Sequence, residues 1–312
     1  MLAEGSPRCL ELFAGSGGAA LGIEAAGFAH AALCEWDADA CATLRAAGLG
    51  PVVEGDVRDL DAIEAVAGSG PLDLLWSSFP CQAFSTAGKR KGASDERNGW
   101  PWTVDAIGRF RPRWFLAENV RGLLCHSGEG HPDPMRCPRC YLDAVILPQL
   151  RERFAHAGWW LLDAADYGVP QHRRRVILWA GPRPLAPPEP THADPATLAQ
   201  RSMFGPRLAP WVTPDWWPSP CPAACATEWK GHTNPDVERG RANPINRASD
   251  AWYLATGERV IPVAEAARVQ GFPADHPWPE SMRAALRSIG NAVPPTLARV
   301  VAARVYAELT DR

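Results

Sequence analysis

The sequence predicts an α/β fold, a parallel sheet covered by helices, interrupted by a smaller irregular lobe. Three observations lead there. Short apolar runs alternate with helical stretches through the first half of the 312-residue chain, a glycine turn follows the first run, and near residue 183 the composition shifts to proline and tryptophan. At 46% hydrophobic content the chain can bury a large core.

Taken in order, "CLELFAG" reads as a strand leading into the glycine turn, and "AALGIEAAG" has helical spacing and ends at Gly27. "AALCEW", "PVVEGDV", "LDLLWSS", "WFLAENV" and "RRVILWAG" read as further strands, each ending where polar or special residues begin. In open α/β sheets ligands collect at the carboxyl ends of strands, so those ends are where chemistry is expected. The stretches "PRPLAPPEPTHADP" and "RLAPWVTPDWWPSPCPAAC" are too rich in proline for helices or central strands, so a loop-rich lobe is predicted. Helical patterning returns at "PVAEAARVQGF" and "PPTLARVVAARVYAEL". The expected division is 1–182 for the main domain, 183–280 for the second lobe and 281–312 for a segment that returns to the first.

No apolar run approaches the ~20 residues of a membrane span, and "MLAEGSPRCLELF" lacks the basic start and apolar stretch of a signal peptide. The chain reads as cytosolic. Nine unevenly spaced cysteines suggest reduced thiols with catalytic or metal roles rather than a disulfide framework. A net charge of −3 argues against indiscriminate coating of nucleic acid but leaves room for a local basic cleft.

Two features carry chemistry. "FPCQAFSTAGKRKG" places Cys81 among loop-formers and ahead of Lys89, Arg90 and Lys91, a setting that favours a thiolate and an anionic partner. "FAGSGGAALG" offers Gly15 and Gly17 between strand and helix, with Glu35 about twenty residues on at the end of the next strand. That is a loose adenosine-binding pattern, and a plain tight turn is the alternative. Trp36 is placed to stack on an adenine, and Asp56 to accept from its amino group.

"LELFAGSGGAALGIEAAGF", "CEWDADA", "GDVRD", "FPCQAFSTAGKRKG", "ENV", "GVPQHRRRVIL", "EAARVQGFP" and "IGNAVPP" occur in the order and rough spacing of the motifs of DNA cytosine-5 methyltransferases. The chain resembles that family along nearly its whole length, and from Phe79 through Val120 it is similar to the small bacterial restriction-modification members. The resemblance implies a Rossmann-like S-adenosylmethionine-dependent domain with a target-recognition domain, acting on duplex DNA, and a monomer associated with the nucleoid is expected. Carbon 5 of cytosine is too weak a nucleophile to take a methyl group directly, so a nucleophile must first add at carbon 6. Cys81 fits that role, Glu118 that of a buried acid at ring nitrogen 3, and Arg173 and Arg175, alternating along a strand, that of groups holding the cytosine carbonyl, the adduct or phosphates. The target base must leave the duplex. Gln82, Ser85, Lys89, Arg90, Lys91 and Gln171 are the expected DNA contacts, and residues near Lys230 to Arg241 are expected in the major groove. Carried over from the family, Phe13, Gly15 and Gly17 surround the methionine moiety of the cofactor. Glu35 meets its ribose, Trp36, Asp56 and Val57 its adenine, and Pro80, Trp100, Asn291 and Val293 complete the pocket.

The chain departs from the family pattern at Glu11, where aspartate is usual, at Trp100, where leucine is usual, and in "IPVAEAARVQGFP", which lacks a threonine and an arginine-glutamate pair. A nicotinamide-dependent oxidoreductase would share the glycine turn but has no use for the "PCQ", "ENV" and "QHRRR" blocks. A transfer-RNA cytosine-5 methyltransferase of the same fold and a catalytically silent DNA-binding relative remain the nearer rivals. One segment the resemblance does not explain, "LCHSGEGHPDPMRCPRCYLD", suggests a structural zinc site from Cys125, Cys137 and Cys140 with His126 or His131 as fourth ligand.

Overall fold

The computed structural model describes residues 5–80, 98–124, 137–198, 208–224, 228–239 and 247–310. The predicted alternation is present: β1 (Arg8–Leu12), α1 (Gly18–Ala25), β2 (Ala29–Glu35), α2 (Ala38–Ala46), β3 (Val52–Glu54), α3 (Leu60–Ala67), β4 (Leu74–Ser77), α4 (Trp100–Phe110) and β5 (Trp114–Val120). A short helix α5 (Pro138–Tyr141) passes through a π turn (Leu142–Ile146), just ahead of Pro148 and its missing helical donor, into α6 (Leu147–Arg151). Then come β6 (His156–Asp163), β7 (Gln171–His172) and β8 (Arg174–Gly181).

The central sheet has seven strands in the order β3-β2-β1-β4-β5-β8-β6. The first five are parallel, and β8 runs antiparallel to both β5 and β6. The sheet is therefore mostly, not wholly, parallel, because the connection from β6 to β8 carries no crossover helix and so brings the chain straight back. Strand side chains alternate between two cores. Leu10, Leu75, Phe115 and Leu178 face α3, α4 and α6, whereas Cys9, Trp76, Leu116 and Ile177 face α1 and the last helix.

The second lobe holds β9 (His192–Ala193), α7 (Pro195–Leu198), β10 (Ala209–Pro210), β11 (Cys221–Pro222), α8 (Pro235–Glu238), α9 (Ala248–Thr256), α10 (Val263–Gln270) and α11 (Met282–Asn291). Its apolar core gathers Cys221, Ala248, Ile261, Val269, Phe272, Leu286 and Ile289. The last two lie on α11, so this helix packs with the second lobe although the sequence division at 280 places it with the returning segment. The return is made by α12 (Pro295–Thr310), whose Leu297, Val301 and Val305 join Cys9 and Ile23 in the main core. α12 lies against α1 because Gly18 and Gly22 present no side chain: a Cβ at Gly22 would overlap Pro295 O and the Arg299 amide, and one at Gly18 would overlap Val293 O. No helix among the described residues is long and apolar enough to cross a membrane.

Candidate active site

The glycine turn begins where β1 ends. Phe13 (φ 59°), Gly15 (φ 55°) and Gly17 (φ 88°) all adopt the left-handed region, and for Phe13 that costs about 1–2 kcal/mol, the kind of strain that collects at ligand sites. Glu35, at the end of β2, holds the turn. Its Oε2 accepts from the Gly15 amide at 2.8 Å, and its Oε1 from the Trp36 and Asp37 amides at 2.9 Å. Three of roughly four acceptor positions on the carboxylate are thus occupied, leaving one for a ligand. Beside it Trp36 is 82% exposed. Below the turn Glu11 is buried, and its longer side chain brings Oε2 to 3.3 Å from His30 Nε2, while Glu24 Oε1 lies 3.2 Å from Nδ1. Burial opposes charge on His30, but the two carboxylates together push its pKa up to about 9.

On the adenine side expected from sequence, Val57 is buried and Asp56 is engaged by Arg58, whose Nε sits 2.9 and 3.0 Å from its two oxygens. The Arg58 fork, the leading cause, holds the Asp56 carboxyl below its ordinary value. The other wall differs from expectation. Trp100 is 1% exposed, donates to Gln149 Oε1 at 2.7 Å and packs on Phe79 and Phe115, so it belongs to the core. The ring stacked on Phe13 is Trp102, with centroids 6.4 Å apart, and the Arg58 guanidinium lies 5.2 Å above that same ring. Gly99 lets the pieces meet, since a Cβ there would come within 3.0 Å of Pro80 and Phe13. Asn291 is exposed at the end of α11, and Val293 is buried with its carbonyl over Gly18.

The second centre lies at the ends of β4 and β5. Cys81, with Gln82, Ser85, Lys89, Arg90 and Lys91, lies outside the described residues. The residues that precede it are tied to β5: Ser77 pairs with Ala117, and Asn119 Nδ2 donates to Phe79 O at 3.1 Å. This ties the chain two residues ahead of Cys81 to the residue after Glu118. Glu118 is buried, and Arg175 Nε reaches its Oε1 at 2.6 Å across the β5–β8 pair.

Two sequence expectations are corrected here. Arg173 does not share the site with Arg175: it is 2% exposed and donates to the carbonyls of Ala224 (2.9 Å), Gly290 (2.9 Å) and Ala292 (2.8 Å). Gln171, expected on DNA, is 0% exposed, donates to Val269 O and Gln270 Oε1 and accepts from the Ala224 amide. Gln270 in turn donates to Ala292 O. Arg173 falls in the break between β7 and β8, so the alternation along one strand does not hold there, and the carbonyls of the second lobe and of Ala292 receive it. Buried polar groups need partners, and here they find them across the lobe boundary.

A family model described as C-5 cytosine-specific DNA methylase matches residues 7–202 and 221–307. The chain belongs to that family. It is a DNA cytosine-5-methyltransferase, of the restriction-modification type. The methylase is 33% identical over 97% of its length, and 76% of the relative's, to Type II methyltransferase M.NaeI of Lentzea aerocolonigenes. It is 32% identical to Type II methyltransferase M.NgoMIV of Neisseria gonorrhoeae over 96% of its own chain and 97% of that protein. Among solved structures, a putative DNA modification methyltransferase encoded within an E. coli prophage superposes with a TM-score of 0.63 at 20% identity, covering 97% of this chain and 99% of that one. The S. pombe Dnmt2 methyltransferase gives 0.63 at 16% identity with the same coverage. At such identities the two structures establish the shared fold.

In the methylase the cysteine-rich insertion is described only in part, since Cys125, His126 and His131 lie outside the described residues. Cys137 is buried at the start of α5, and its hydrogen bond, the leading cause, raises the thiol pKa of half-buried Cys140 one turn on. Among the described residues no group of three or more metal-ligating side chains comes together. Of the expected groove contacts, residues 240 and 241 are likewise outside the described residues, and the Lys230 ammonium sits 5.3 Å from the Trp229 ring, which also carries Arg283 at 4.1 Å. Sequence reasoning missed Trp102, Gly99 and Gly18. Gly18 sits in a run of glycines, which gave no means of ranking it above its neighbours.

Proposed function

We propose that the enzyme transfers a methyl group from S-adenosylmethionine to carbon 5 of a flipped-out cytosine in a specific duplex DNA sequence, through a Cys81 adduct at carbon 6. The observation that carries this is the Glu118–Arg175 pair, set beside the strand end that leads to Cys81 by the Asn119–Phe79 hydrogen bond. On this reading the Cys81 thiolate adds to carbon 6, and Glu118 gives a proton or hydrogen bond to ring nitrogen 3 as electron density moves onto carbon 5. Arrival of the base exchanges the ion pair, Arg175 turning to the cytosine carbonyl and Glu118 to the ring nitrogen. After transfer the carbon-5 proton passes to water, its electron pair re-forms the double bond and expels the thiolate from carbon 6, and nitrogen 3 returns its proton to Glu118.

The cofactor supplies an electrophilic methyl on a sulfonium. The residues present fit it: Trp36 offers an uncovered aromatic face, Glu35 retains an acceptor position, and Phe13 with Trp102 walls the turn. Cys137 and Cys140 would hold a structural zinc together with Cys125 and His126 or His131, and the metal would tie the insertion together. Elemental analysis of untagged protein finds about one zinc per chain if that set closes.

The decisive experiment is incubation with S-adenosylmethionine and a duplex carrying 5-fluorocytosine at the target, the target having been mapped by base-resolution sequencing of a methylated plasmid library. Denaturation-resistant complexes are expected with the wild type and not with Cys81→Ser. Methyl transfer without trapping would refute the adduct, and a transfer RNA methylated faster than duplex DNA would refute the substrate.

A further inference from the structure

We propose that His276 is a positioning residue for the glycine turn, through which the second lobe sets the affinity of the enzyme for its methyl donor. The inference rests on the cofactor reading above. His276 lies between α10 and α11, yet its Nε2 is 3.0 Å from the carbonyl of Ser16, 260 residues away in the chain. A carbonyl only accepts, so Nε2 carries the proton. The ring is 7% exposed and held between Phe272 (centroids 4.8 Å) and Trp278 (4.6 Å), which also touch each other at 4.8 Å. Burial, opposed by Ser16 O and Asp275, keeps the His276 pKa below its ordinary value, so the ring is neutral with one bonded and one bare nitrogen.

The contact falls on the middle of the strained turn. Glu35 fixes the peptide unit entering Gly15 from the sheet side, and His276 fixes the one leaving Ser16 from the second lobe. Phe272 approaches the end of the turn as well, since a Cβ at Gly18 would come 3.2 Å from its ring. With Phe13, Gly15 and Gly17 all left-handed, the turn keeps this shape only while its surroundings over-determine it. His276 is one of two polar side chains that do so, and the only one from the second lobe among the described residues. A structural packing role alone would be met equally well by an apolar ring.

The test compares His276→Phe, which keeps the aromatic box, with His276→Gln, whose amide can still donate. Titration calorimetry with S-adenosylhomocysteine and steady-state KM for S-adenosylmethionine should show the Phe variant weakened about tenfold, the effect of leaving one buried carbonyl without its donor. The Gln variant should stay within about threefold, and DNA affinity should be unchanged in both. A Phe variant that binds as tightly as wild type, or Phe and Gln variants equally impaired, would overturn the inference. Wild type that binds no S-adenosylhomocysteine would instead overturn the cofactor reading, and the inference with it. Should the variants not fold, long-range ¹⁵N–¹H spectra of histidine-labelled wild type decide: the Nε2–H tautomer supports the contact and the Nδ1–H tautomer overturns it.

Discussion

Arg173 stands where the family pattern suggests a hand on the target base, and the structure makes it a tie between lobes. Replacing it with methionine separates the two roles. The guanidinium serves three carbonyls, and of these Ala292 O keeps a second donor in Gln270 Nε2. Ala224 O and Gly290 O lose their charged donor. A buried acceptor stripped of its partner costs about 1–3 kcal/mol, so the two together cost about 2–6, and about 4 kcal/mol is expected for Arg173→Met. Urea unfolding followed by fluorescence of the tryptophan-rich second lobe reads this as a lower midpoint, and protease should cut more readily around residues 208–224. Arg175→Lys is the control. It keeps a charge beside Glu118 but loses the planar fork, so turnover should fall while stability stays within about 1 kcal/mol. If Arg173→Met were to lose turnover a hundredfold with stability intact, the tie would be wrong and the role on the base right.

Further outcomes follow from the same contacts. Gly22→Ala forces a methyl into Pro295 and Arg299, and a loss of about 1–3 kcal/mol by thermal unfolding is expected, with α12 released to protease. Trp100→Ala should destabilise by about 3–5 kcal/mol, as for any large core aromatic, whereas Trp102→Ala should chiefly raise KM for S-adenosylmethionine; the reverse would restore the sequence-based assignment. Stability should fall as pH rises from about 6.5 to about 9, because folded His30 binds its proton more tightly than unfolded histidine, and burial raises Glu11 in the same direction. The His30 share of the loss is on the order of 3 kcal/mol by chemical denaturation, and that share should be missing in His30→Gln.

The glycine turn and the acidic residue ending β2 were legible because they are local: strand, turn and helix are consecutive, and spacing alone sets Glu35 beside Gly15. The clamp role of Glu35 was not, since which amides it receives depends on the turn's dihedrals. Spacing alone did not separate Trp100 from Trp102: two residues along a helix is a rotation of about 200°, and in the fold Trp100 lies in the core while Trp102 stacks on Phe13. The strand β6 escaped notice because "HAGWWLLD" is a continuous apolar run without alternation, indistinguishable from a buried helix segment. Gln171 and Arg173 failed for a different reason. Periodicity says nothing of what covers a residue, and here the cover comes from residues 51 to 119 positions distant.

The docking of α12 on the two glycines of α1 bears on how the enzyme comes off the ribosome. Cys81, Glu118 and Arg175 are all made early, and a nascent chain can pair β1 to β8 once they emerge. Until residues 292–310 follow, the outer face of α1 and the apolar side chains of β1 and β4 beneath it have no lid, and Gly18 has no carbonyl above it. Vectorial synthesis therefore delivers the reactive groups first and the scaffold under the cofactor turn last. A chain halted before residue 292 would carry every residue proposed for the chemistry while leaving the face that α12 should cover open to aggregation.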